Sequence, residues 1–302
     1  MENEKTGNIT LREQIHRFLI SSGFELALRL TLLEILLRPI GNWMLRPFIL
    51  GLAAVGLVFP GLLLKSGFWM SLTFFTGLRV VLDWPLADNH AYLLCYWCLA
   101  VSIALLAKDT GNCLALNGRL LIGLAFAFAV LWKLALSPDY IDGRFFRYIM
   151  LTDDRFEALV RLVGGFSFDA LEELRAFVRQ HIDGQFFEMT GIPGQPERFL
   201  SVAKFATLWT VAIEALVAIA FLSPVGKGLS KLRDVLLIIF CIATYAIAPV
   251  EGFGWLLIAM GIAQCEPERR IIRLLYLIVF FIILFYREVP WVDMLLDHIQ
   301  TE

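Results

Sequence analysis

Charged side chains are scarce in this sequence. Asp, Glu, Lys and Arg supply 18% of its 302 residues, where a soluble domain carries about 25%. Neither sign dominates: 26 Lys and Arg face 28 Asp and Glu. No basic field exists to attract a polyanion, so nucleic acid is not expected as a partner. The 4 His include no pair at H-x-x-x-H spacing, so no zinc or iron site is expected. The absence of a G-x-S-x-G motif removes the usual serine-hydrolase signature. No P-loop, internal repeat or low-complexity tract occurs either. The polar stretch Met1–Asn8 is followed by a charged helical pattern, so no cleavable signal is expected and the first spanning helix would direct insertion. The 5 Cys, at positions 95, 98, 113, 241 and 265, lie in or beside apolar stretches and supply no extramembrane disulfide framework. Cys95 and Cys98 form a C-x-x-C that reads either as a redox dithiol or as two small hydrophobic residues.

What the chain has in abundance is apolar sequence: 59% of residues, with a mean hydropathy of +0.72. A globular core cannot absorb that excess, so a bilayer is the expected solvent for much of the surface, and membrane lipids the expected neighbours. The 13% aromatic content, with 8 Trp, suits interfacial belts at headgroup level. Apolar runs cover Pro47–Leu64, Ala91–Ala107, Leu120–Leu136, Phe205–Ser223, Val235–Val250, Phe253–Cys265 and Ile271–Tyr286. Phe18–Leu37 has the length but carries Glu25, Arg29 and Glu34. Glu25 with Arg29, and Glu34 with Arg38, are i,i+4 pairs, which reads as an interfacial or tilted helix packed against protein. Gly67–Leu82 is apolar but for Arg79. The stretch 235–265 is too long for one pass, and Pro249 predicts two short helices meeting at Ala248-Pro249-Val250-Glu251-Gly252. The expected fold is all-α: a polytopic transmembrane bundle of roughly six to eight helices.

Residues 138–203 are different in kind, with 7 Arg against 11 Asp and Glu. Phe156, Leu159, Val160 and Val163 fall at helical spacing, and Gly164-Gly165 ends that helix. Asp169 with Glu172 reads as a capping box opening a second, with Leu171, Leu174 and Val178 on one face. Gly191, Pro193, Gly194 and Pro196 then mark a loop. The chain therefore divides into membrane helices over 1–137, a helical extramembrane insertion over 138–203, and membrane helices with a short tail over 204–302. Short basic connections around Lys227, Lys231, Arg233, Arg269, Arg270 and Arg273 predict cytoplasmic loops, with the insertion and the acidic C-terminus facing outward.

Three residues stand out chemically. Lys133, near the end of an apolar helix, reads either as a desolvated amine fit to be a base or as a snorkelling cation. Glu214, in the middle of an apolar run, reads either as a pathway, proton relay, buried partner or ligand contact, or as a protonated Glu hydrogen-bonded to a neighbouring helix. His90, at the mouth of the 91–107 helix, reads as a proton carrier or a capping residue.

Two segments carry a resemblance. Leu82-Asp83-Trp84-Pro85-Leu86-Ala87-Asp88-Asn89-His90-Ala91-Tyr92-Leu93 resembles the N-H-x-Y-L segment of vitamin K-dependent γ-carboxylases and of the related HTTM (horizontally transferred transmembrane) proteins. Trp132-Lys133-Leu134-Ala135-Leu136-Ser137-Pro138-Asp139-Tyr140-Ile141-Asp142-Gly143 is similar to the family helix that ends in a Lys, a Leu and an Asp-aromatic-x-x-Gly turn. The resemblance implies a quinone-dependent membrane enzyme with Lys133 as base. It implies His90 beside Lys133 in the catalytic group, Asn89 and Tyr92 lining the pocket, and the bacterial cytoplasmic membrane as location. Where the carboxylases have a second Asn-His, this chain has Asn112-Cys113, and the large lumenal domain that holds peptide substrate is expected to be missing. The family therefore carries the fold further than it carries glutamate carboxylation. Two other readings remain: a non-catalytic subunit paired with other membrane proteins, and a transporter using Glu214 and the break at Pro249–Gly252.

Overall fold

The computed structural model describes residues 23–38, 40, 42–181, 194–245, 250, 252–266 and 268–288. Among these residues all regular structure is helical. The α-helices are α1 (Gly23–Leu37), α2 (Arg46–Val58), α3 (Ser66–Asp83), α4 (Asn89–Ala104), α5 (Thr110–Leu131), α6 (Pro138–Ile141), α7 (Arg144–Thr152), α8 (Glu157–Leu162), α9 (Phe168–His181), α10 (Glu197–Leu222), α11 (Arg233–Tyr245), α12 (Phe253–Gln264) and α13 (Arg270–Glu288). A π-helical turn, Trp132–Leu136, prolongs α5. The chain forms two compact units, one of residues 1–121 with 251–278 and the other of residues 122–250 with 279–302.

In the first unit, α1 packs between α2 and α12, and α3 pairs with α4. Small residues allow close approach. At Gly56 of α2, a β-carbon would stand 2.5 Å from Leu32 and 2.5 Å from Phe68. One buried polar chain links α1 to α4. Trp97 Nε1–H donates to Thr31 Oγ1 at 2.8 Å, and Thr31 in turn donates to the Ala27 carbonyl at 2.8 Å. The indole is thereby satisfied in a place where an unmade hydrogen bond would cost about 1–3 kcal/mol. Ser66 and Ser102 exchange side-chain-to-carbonyl bonds where α3 starts and α4 ends.

In the second unit, α5 and α10 run antiparallel. A β-carbon on Gly123 would meet Leu222 and Phe221, while Lys133, further along α5, reaches back to Glu214. A small helical core closes around the start of α10: Phe146, Met150 and Leu151 of α7, Phe156, Val160, Phe166, then Leu171, Leu174 and Val178 of α9, against Phe199 and Ala203. The buried Arg175 guanidinium fastens it, at 3.0 Å from Glu157 and 3.1 Å from Glu172.

Local details depart from the sequence reading in instructive ways. Helix α9 is capped by Ser167, whose hydroxyl accepts from the Ala170 amide at 3.3 Å. Asp169 lies inside the first turn and Glu172 is engaged by Arg175, so no capping box forms. Val163 falls beyond α8 and is exposed. Helix α10 begins at Glu197, inside the stretch expected to be extramembrane, and runs unbroken to Leu222. The 235–265 stretch does form two helices, α11 and α12. The start of the first apolar segment at 18–22, Gly191 and Pro193, Ala248, Pro249, Glu251 and the tail from 289 lie outside the described residues. Among the described residues two helices, Thr110–Leu136 and Glu197–Leu222, are long and apolar enough to cross a membrane.

Packing at Gly56 yields a direct check. Gly56→Leu must displace Leu32 or Phe68 and should destabilise by about 1–3 kcal/mol. Gly51→Ala, with nothing within 4 Å of the added carbon, should leave thermal unfolding in detergent unchanged or slightly raised. A second check concerns pH. Asp153 caps the turn 154–156 and accepts from the Arg155 guanidinium, which holds its carboxyl below the ordinary aspartate range. A depressed carboxylate stabilises above its unfolded value and loses that contribution as pH falls through the folded one. Amide exchange in residues 154–162 should therefore accelerate below about pH 4, and Asp153→Asn should flatten that dependence.

Candidate functional site

Pro138 has no N–H to give the Leu134 carbonyl, so the regular ladder of α5 cannot pass through it. The helix instead closes in the wider π turn that carries Lys133. Turns of this kind recur at functional sites because the extra residue re-aims a side chain. Here Lys133 points at α10, while Trp132, Leu134 and Leu136 stay exposed. The Lys133 ammonium pairs directly with Glu214 Oε1, and its Nζ lies 5.0 Å from the centre of the Tyr140 ring. The side chains of Lys133 and Glu214 are 16% and 9% exposed. Oxygen Oε2 of Glu214 is buried and has no hydrogen-bond partner among the described residues.

The segment after Lys133 is fixed around this pair. Arg144 holds Asp139 at 2.8 Å and Asp142 at 2.6 Å. Gly143 has φ of +80°, a left-handed conformation in which glycine alone is unstrained, and it lies against Lys204 and Thr207 of α10. The Asp-aromatic-x-x-Gly segment is thus a turn that lays Tyr140 beside the pair. Its two aspartates are engaged by Arg144.

The other sequence candidates lie in the first unit. Asp88 caps α4, accepting from the Ala91 amide at 2.7 Å, and this sets the first turn that carries Asn89, His90 and Tyr92. His90 Nδ1 is 3.7 Å from Asp88, and its ring lies 4.5 Å from that of Phe253. Asn89 is exposed and Tyr92 half-buried. Five helix ends meet here: the last turns of α1 and α3 and the first of α2, α4 and α12. Glu34 and Arg38 pair at 3.3 Å, with Glu34 fully buried. A β-carbon on Gly252 would stand 2.8 Å from Arg38 and 2.9 Å from Glu34. Asp83 accepts from Asn42 at 3.1 Å and from Arg79 at 3.3 Å.

The structure thus joins Lys133 to Glu214, 81 positions apart in sequence. It groups Asn89, His90 and Tyr92 with a polar cluster that sequence reasoning recognised only in part. Spacing gave the Glu34–Arg38 pair, and the pair is buried on a helix packed against protein. Tyr140, beside Lys133, carries no signal of its own in the sequence beyond its position seven residues after the lysine. Cys95 and Cys98 are free thiols, and Cys95 Sγ lies 3.7 Å from the Thr73 carbonyl. Among the described residues no group of three or more His, Cys, Asp and Glu is arranged to hold a metal ion. Comparison with protein-family models, with curated proteins and with solved structures gives no match.

A buried ion pair makes a distinctive thermodynamic prediction. Lys133→Met or Glu214→Gln alone leaves one charge or dipole stranded and should destabilise by about 3–5 kcal/mol. The double variant should be markedly more stable than the two losses added together. A double-mutant cycle by equilibrium unfolding in detergent measures this.

Proposed function

We propose that the chain is a polytopic helical membrane protein of the HTTM kind, in which the Lys133–Glu214 pair is the reactive centre for a lipid-phase substrate, a quinone first among them. The observation that carries this reading is the pairing of an amine with a buried carboxylate in apolar surroundings. Desolvation offsets much of the Coulomb gain of such a pair, and an amine held there is placed to act as a base towards a bound acid.

The residues present fit a quinone. Glu214 Oε2 is left over to accept from a ligand hydroxyl, while Tyr140, buried and stacked on Phe145, packs beside Lys133. A hydroquinone, when bound, supplies an acidic hydroxyl and a reducing ring. Lys133 and Glu214 are the groups that would hold it, with Lys133 as the base. His90, Asn89 and Tyr92 enter this proposal through the family resemblance.

The membrane reading extends past the two long helices. Helix α3 has 18 residues and α13 has 19, about 27–28 Å of rise, close to the ~30 Å hydrocarbon layer. Both have their charged residues near their ends. Helices α2, α4 and α12 are shorter, but Phe48, Val58, Tyr96 and Ile103 leave bare apolar surface on the first two. Roughly six to eight membrane segments account for that surface, and the bacterial cytoplasmic membrane is the location the family resemblance favours.

A second reading is favoured by the same contact. A matched pair also lets two charged helices sit in lipid with no chemistry at all, as in a non-catalytic subunit whose bare apolar faces meet other membrane proteins. Extraction and mass spectrometry of the purified protein separate the two. The enzyme reading expects a stoichiometric quinone or lipid cofactor that is lost in Lys133→Ala. No bound cofactor in either form, with membrane proteins co-purifying, would transfer the assignment to an accessory subunit.

A further inference from the structure

The polar end of the first unit is rimmed by aromatic side chains that no packing requirement explains. Asn42 organises one rim loop: its Oδ1 accepts from the Met44 and Leu45 amides at 3.2 and 3.3 Å. Its Nδ2 donates across to Asp83 at 3.1 Å, tying that loop to the one that follows α3. Asp83 is held in turn by Arg79. Each tied loop projects a tryptophan immediately after its anchoring residue. Trp43 is 78% exposed and Trp84 is 70% exposed, with Leu86 at 90%. Both loops are therefore fixed by hydrogen bonds while presenting bare indoles. Arg46, also exposed, opens α2 three residues beyond Trp43.

We infer that these two loops form a membrane-interface anchor, with Trp43 and Trp84 seated among lipid headgroups. Indole combines a large apolar ring with one N–H donor, and the headgroup layer is the medium that satisfies both. Arg46 supplies a cation complementary to headgroup phosphate. The apolar surface of α2 and α3 leads away from the rim through Phe48, Val55, Phe74 and Val81, all exposed, as it should if hydrocarbon begins below the loops. The anchor fixes the depth of the adjoining cluster. Asp88 ends the short loop that Trp84 opens, and His90 lies in the first turn of α4 directly after it, so a ligand reaches them along the lipid–water interface. This inference rests on the membrane reading above.

Trp fluorescence in nanodiscs tests it, with the spin label placed near the headgroup or near the chain end of the lipid and with iodide as the aqueous quencher. The wild-type protein, Trp43→Phe and Trp84→Phe are compared; both tryptophans are exposed, so neither change opens a cavity. Each variant should lose a component quenched more strongly by the shallow label than by the deep one or by iodide. A lost component quenched chiefly by iodide, or chiefly by the deep label, overturns the anchor while membrane residence stands. Wild-type fluorescence quenched by no lipid label overturns the membrane reading itself, and the anchor with it.

Discussion

A charged group can remain in apolar surroundings only if another group meets it, and in a chain with so few charges each such meeting constrains the fold. Lys133 and Glu214 are the clearest instance. Each would be expensive alone in an apolar helix. Together they require α5 and α10 to lie side by side, antiparallel, in one axial register. The left-handed turn at Gly143, the Asp139–Arg144–Asp142 clamp and the placement of Tyr140 all follow the chain as it turns back along α10 from that contact. The same rule operates in the first unit, where Glu34 and Arg38 are buried together and Gly252 lies so close that any side chain there would strike them.

The helical fold was legible because long apolar runs with few breakers have few alternatives. Lys133 and Glu214 could each be singled out because a charge stands out against an apolar background. Their partnership could not be read, since it depends on the phase of α5 where the helix widens, and that phase depends on Pro138 several residues later. Glu34 and Arg38 show the complementary limit. Their spacing revealed the pair, but whether one helix face looks at lipid, water or protein is decided by neighbours distant in sequence, here Gly252. Ser167 and Asp169 are both sound caps by type, and the choice between them is made by where Phe168 enters the helix. Helix lengths were the least legible feature. Helix α10 extends back to Glu197 because its first turns bury Phe199 and Ala203 in the small helical core, a tertiary reward that hydropathy does not register.

The two units divide the candidate residues as well. Asn89, His90 and Tyr92 stand at an end of the first unit where five helix termini supply caps and paired charges. Lys133, Glu214 and Tyr140 stand within the second, on helices long enough to cross a bilayer. The first environment offers polar hydrogen-bonding groups at the edge of apolar helices; the second offers one buried ion pair beside an aromatic ring.

Helix α10 has one further property. It is a single rod, gripped at its first turns by the small helical core and carrying Glu214 further along. The residues that dock it, Phe199 and Ala203, and the carboxylate that meets Lys133 belong to one uninterrupted helix. The azimuth at which Glu214 leaves α10 is therefore set jointly by the core at one end and by the ion pair further along.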